Sequence, residues 1–399
     1  MGSFINSLDK YKRNNYLYLL LLLPFLEPQI FKTQGYEFMD QLYAGLKMIS
    51  AFLIVIVYGY KFKAKISLFV GLMVTLQTVI MISTIVNDGS LVRFAGPAIT
   101  AIVILMLGKL INKGKWIQFM LILRNLLLIL VVLNVSEQVF RVFFLGEDNI
   151  VTFLGIENRW LYFYLPLVFI NMVISQIKNY HLDVLSKLIF AMLFLSLLLA
   201  RSMGAVLAMT SFALTFIVLK YFKPNVVLCY LLYCVFNYLL VNGYVLKSFN
   251  FLISDILQKD ITLSGRTYLW QTVIEVLEEN PLTGMGVQTS LFDCSFFFER
   301  SGYVIGCFVN HPHNYFLNVA YHGGIIALLL FILLYYFVMV KLGSISDVGL
   351  KRIVFSTFAA FFVASLVDTL DFALFYLFIP MVSQMSNLKF HQDDIFGAY

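Results

Sequence analysis

The sequence is poor in charge. Only 13% of its 399 residues are Asp, Glu, Lys or Arg, about half the roughly 25% usual in soluble domains. That shortage excludes a water-soluble globule. Disorder is excluded by the opposite property, because 61% of the residues are hydrophobic and disordered chains lack apolar surface. Strong basicity is missing too. The net charge is +6, and the cations sit in short clusters between apolar runs, so no nucleic-acid partner is expected. The chain has four Cys and no CxxC. It has no P-loop, no GxGxxG after a strand, no HExxH and no GxSxG. No internal repeat or low-complexity segment is visible. No small-residue cleavage site follows Leu17–Leu23, so no cleaved signal peptide is expected.

What is present is apolar sequence in long unbroken runs, such as Ile325–Val340. A membrane barrel would show short alternating segments instead. The reading is an all-α polytopic membrane protein with about 12 transmembrane helices. The candidate spans are 16–31, 42–60, 66–86, 92–111, 116–135, 160–177, 184–200, 203–222, 226–245, 313–340, 352–368 and 371–387. Pro24 and Pro28 interrupt the first. Arg201 and Ser202 alone separate the seventh from the eighth.

Loop charge sets the orientation. Lys61, Lys63 and Lys65, then Lys109, Lys113 and Lys115, then Lys178 and Lys187, Lys220 and Lys223, and Lys341, Lys351 and Arg352 fall on one side. Glu27, Glu37, Asp40, Asp88, Glu137, Glu147, Asp148, Glu157, Asp368 and Asp371 fall on the other. The positive-inside rule then places both termini in the cytoplasm. Three parts follow: spans one to nine in 1–246, an extracytoplasmic loop in 247–312, and the last three spans with a cytoplasmic tail in 313–399. Within the loop, 265–280 reads as an amphipathic helix. Leu269, Val273, Val276 and Leu277 form its apolar face, and Pro281 ends it. Cys229 and Cys234 read as packing residues in a span. Cys294 and Cys307 share the oxidising side, which leaves a bridge and two free thiols both open.

Ionisable groups at the membrane are the candidate chemistry. Three of the five His lie in or near Asn310-His311-Pro312-His313-Asn314 and at His322. An HxH pair without a matched third ligand is a weak metal signal, so no metal is expected. Pro312 also suits a helix entry. His322, beside Gly323-Gly324, reads as packing. Lys47, Arg124 and Arg201 lie in or beside spans, where a cation is a functional hypothesis by default. Arg266 opens the loop helix. Charge bias alone puts Arg201, Arg266 and His313 at the outer face. Two Arg and a His suit a reaction on a diphosphate, because Arg forks hold phosphate oxygens and His moves protons near neutral pH. The arginines would stabilise a diphosphate leaving group without a metal.

These residues fall in a recognisable order: Ala200-Arg201-Ser202; Ser264-Gly265-Arg266 with Trp270; Asn280-Pro281-Leu282, Gly284 and Gly286; His313-Asn314 with Leu317; and Gly323-Gly324. Over roughly 195–345 the chain resembles the O-antigen polymerase and ligase family of bacterial membrane glycosyltransferases (Wzy- and WaaL-type). The resemblance implies a GT-C-like helical fold and a site facing the periplasm or exterior of the bacterial plasma (inner) membrane. It implies sugar transfer from undecaprenyl diphosphate with no cofactor, nucleotide sugar or metal. It assigns diphosphate binding to Arg201 and Arg266 and the base, or acceptor orientation, to His313. His311, Asn314 and Lys47 are supporting candidates. Membrane lipid, a chain-length regulator and a flippase are the partners it suggests. Tyr315 stands where ligases often carry an acid, which favours a polymerase over a ligase. Two rivals are a transporter, disfavoured by the missing repeat, and a metal-dependent transferase using Glu27, Glu37 or Asp40.

Overall fold

The computed structural model describes residues 15–32, 35–63, 65–111, 115–146, 151–177, 184–245, 266–289, 311–369 and 372–385. Cys294, Cys307, Ser264, Gly265 and Asp371 lie outside them. Among the described residues the chain is helical, with one isolated bridge between Thr152 and Gly155.

Each apolar run falls on a helix. They are α1 (Asn15–Leu26), α2 (Glu37–Phe62), α3 (Leu68–Val86), α4 (Leu91–Leu110), α5 (Trp116–Phe140), α6 (Glu157–Ile177), α7 (Val184–Leu199), α8 (Met203–Val218) and α9 (Val226–Val241). After the loop helix α10 (Arg266–Glu279) come α11 (Tyr315–Gly343), α12 (Val348–Ser365) and α13 (Ala373–Met385). Seven of the described helices are long and apolar enough to cross a membrane, and five apolar helices are shorter. Pro24 explains the weak first run: lacking an N–H, it tightens the end of α1 into a 3-10 turn at Leu23–Leu26.

The bundle is built around α6, buried along almost its whole length from Trp160 to Ser175, as a helix apolar on every side must be. α8 packs on α12, α11 on α3, and α13 on α4. A buried polar network ties α5, α6 and α7 together. Asn134 donates to the Tyr164 hydroxyl (3.1 Å), which pairs with Ser196 Oγ (3.0 Å). Gln138 donates to the Ser196 carbonyl (2.8 Å). The network fixes the end of α7, just before the turn that carries Arg201.

The predicted 313–340 span is not one straight helix. Gly323 and Gly324 leave helical geometry, Gly324 with φ of 65° and ψ of −164°. The break frees carbonyls that an apolar environment would leave unpaired. The Asn280–Gly286 turn meets them. Met285 N donates to the Tyr321 carbonyl (2.7 Å) and Gly286 N to that of His322 (3.1 Å), while Ile325 N donates to the Pro281 carbonyl (2.9 Å). A Cβ on Gly324 would sit 2.2 Å from the Leu282 carbonyl oxygen. Gly324→Ala therefore meets both a left-handed backbone and a backbone clash. It is expected to cost about 2 kcal/mol or more, read as a lower thermal-unfolding midpoint. Gly343→Ala is the control. A Cβ there meets nothing within 4 Å, so the midpoint should hold.

The loop helix α10 lies on the bundle as its periodicity predicts. Leu269, Trp270 and Val273 pack with Leu240, Leu317, Tyr321 and Leu366 in a small separate core, while Glu275, Glu278 and Glu279 stay exposed.

Candidate functional site

The short segment before α11 is fixed from three directions. Buried Trp270 donates its indole N–H to the Pro312 carbonyl (2.9 Å). The His313 amide donates to His311 Nδ1 (3.3 Å). Asn314, wholly buried, caps α11 by accepting from Leu317 N (3.0 Å), and its amide donates to Asn237 Oδ1 (2.8 Å) and the Leu366 carbonyl (3.3 Å). His313 takes a left-handed backbone, φ 51°, an uncommon state for a residue with a Cβ. Arg201 does the same at φ 55°.

Arg266 begins α10 one turn before Trp270, so the Trp270–Pro312 bond brings the start of α10 near the histidine segment. A small cleft opens there, lined by Asn158, Tyr162, Gly204, Arg266, Val367 and Asp368 among others. Asp368 is the acid of the site: its Oδ1 lies 4.0 Å from His313 Nδ1. Burial lowers the Arg266 pKa from its ordinary value, and the Asp368 carboxylate opposes that shift. Burial pushes the His313 imidazole down to about 3, with nearby His311 and Arg266 adding to the effect. His313 is therefore neutral at pH 7, and its side chain keeps 37% exposure.

Residues 188–332 match the family model described as O-antigen ligase. Arg201, Arg266 and His313 all fall inside that match. Over that segment the chain is similar to the O-antigen ligase family. The exopolysaccharide production protein ExoQ of Rhizobium meliloti (strain 1021) is 35% identical over 82 residues, 18% of this chain and 17% of that protein. The chain thus matches less than a fifth of that relative's length.

The matched segment holds Arg201 in the turn between α7 and α8, exposed. The next residue, Ser202, donates to Asn158 Oδ1 (2.8 Å) on the cleft wall. Gly204 follows, where a Cβ would lie 3.1 Å from Val367 Cγ2. The Arg201 turn and the Arg266–His313–Asp368 group therefore share one end of the bundle. Asn314 is a buried cap that positions His313. Lys47 is placed elsewhere: its ammonium pairs with buried Glu27, which also meets Lys32 at 3.8 Å. Arg124 contacts its neighbour Asn125.

Two readings of the sequence change. The HxH pair has a third partner after all, since donor atoms of His311, His313 and Asp368 lie within 4.8 Å of one another. Arg266 acts electrostatically on both His313 and Asp368. The first-loop acids form no such group: Glu27 is paired with lysines, and Glu37 accepts from Gly35 N (3.1 Å). Tyr315 is buried with its hydroxyl on that of Tyr376 (2.9 Å). It does not occupy an acid's place in the cleft, so its identity carries no weight in choosing the acceptor. Asp368 escaped the sequence reading because its only local signal was an acid between two spans.

Proposed function

We propose that the protein is a polysaccharide polymerase of the bacterial plasma membrane. It extends O-antigen or capsule chains by transferring a glycan from undecaprenyl diphosphate to a hydroxyl of a lipid-linked repeat unit. The observation that carries this reading is the gathering of Arg266, His313 and Asp368, with the Arg201 turn, at one end of an apolar bundle. The donor diphosphate is held by Arg266, whose charge persists on burial, together with Arg201 from the exposed turn at the same end of the bundle. His313, neutral at working pH, takes the proton of the acceptor hydroxyl as it attacks the anomeric carbon. The diphosphate leaves from the opposite face, so a single step inverts the anomeric centre. Asp368 orients the imidazole and offsets the Arg266 charge. No metal enters the scheme. The lipid tails run along the bundle, both termini face the cytoplasm, and a flippase and a chain-length regulator act before and beside the transfer.

The matched model's description favours a second reading, a ligase passing finished glycan to lipid A core or another acceptor. The relative's printed name, concerned with exopolysaccharide production, supports chain extension. Laddering of surface polysaccharide in cells lacking the native gene separates the two. A polymerase restores a ladder of repeat lengths. A ligase restores only the joining of preformed chains. Failure to do either removes both readings.

A further inference from the structure

A second and larger cavity lies where α8 and α11 end and α9 and α12 begin. The Arg266 cleft is at the other end of α8 and α12. The 18 residues of α12 put about 27 Å between the two ends, close to the thickness of a hydrocarbon core. The cavity wall holds Lys223, Lys351 and Arg352 and no acid. Asp347, the acid nearest in sequence, is engaged as the cap of α12, accepting from Leu350 N (2.6 Å). Arg352 lies 4.0 Å over the Phe216 ring, and its buried Nε has no hydrogen-bond partner. Two helices start at this cavity, so their positive ends add to the cationic field. The adjoining surface is apolar: Leu214, Ile217 and Phe222 are all more than half exposed.

Three cations, two helix starts and an apolar flank fit one kind of ligand, a phosphate group attached to acyl chains. We propose that this cavity binds the headgroup of an anionic phospholipid in the leaflet opposite the transfer site. The cations take the phosphate, and the chains lie along the exposed face of α8. The lipid is a bound component that anchors the α8–α12 pair, and it takes no part in sugar transfer.

Native mass spectrometry of the full chain from mixed phosphatidylglycerol and phosphatidylcholine tests this. Wild type should retain phosphatidylglycerol preferentially. Each cation replaced by glutamine should lower that retention about fivefold, so Lys351→Gln with Arg352→Gln lowers it about 25-fold. Lys223→Gln, in the exposed connection before α9, gives the single-site value without touching a packed helix. Arg266→Gln, at the other face, should leave retention unchanged. Equal retention of the two lipids, or unchanged phosphatidylglycerol in all three cation variants, overturns the proposal. Displacement of the lipid by millimolar inorganic phosphate also overturns it, by making this a site for free anion.

Discussion

Replacing His313 by Asn should slow transfer by about 10²–10⁴-fold while leaving the fold intact. Asn tolerates the left-handed backbone found at this position, so the change removes the base without straining the turn. An unfolding midpoint equal to wild type checks that point. His311→Gln should retain most activity, because the described role of His311 Nδ1 is to accept the His313 amide. Equal losses at both positions would mean the histidines act as a pair. The pH dependence adds a sharper test. A base must be deprotonated to act, and a lowered pKa keeps the active form as pH falls. The acidic limb of kcat/KM, which reports the free enzyme, should therefore lie well below 6.5, the ordinary imidazole value. Binding a diphosphate offsets the positive charge of Arg266, one of the causes that lower His313. The acidic limb of kcat should then lie at higher pH than that of kcat/KM. Two coincident limbs near 6.5 would contradict the buried, cation-flanked base.

Removing Arg266 carries the other large effect. Arg266→Ala should lower kcat by about 10²–10³-fold, the usual cost of losing one group that stabilises developing charge in a desolvated site. Arg266→Lys should recover only part of this, because a point charge does not reproduce the bidentate fork. The alanine variant also leaves the Asp368 carboxylate without its cation beside His313. The imidazole should then rise in pKa, and the acidic limb of kcat/KM should move to higher pH. Adding Asp368→Asn should reverse that movement without restoring the rate. A rate loss with no change in the pH profile would place Arg266 away from the base.

Much of this arrangement is written in local sequence. Helices follow from apolar runs, and the docked face of α10 follows from the spacing of Leu269, Val273, Val276 and Leu277. Loop charge bias put Arg201, Arg266 and His313 at a common face, and the structure sets them at one end of the bundle. What periodicity does not carry is pairing between distant segments. Asp368 lies about a hundred residues from Arg266, and its partnership needs α12 to end where α10 begins. Lys47 looked like a membrane cation awaiting an anion, and Glu27 supplies one twenty residues earlier. Gly323-Gly324 fell within a span read as continuous, and the partners of its break come from the distant Asn280–Gly286 turn.

That turn and the Trp270–Pro312 bond make α10 an element pinned at two points, like a crossbeam bolted at both ends. The guanidinium at its start is thereby tied, through both ends of its helix, to the bundle itself.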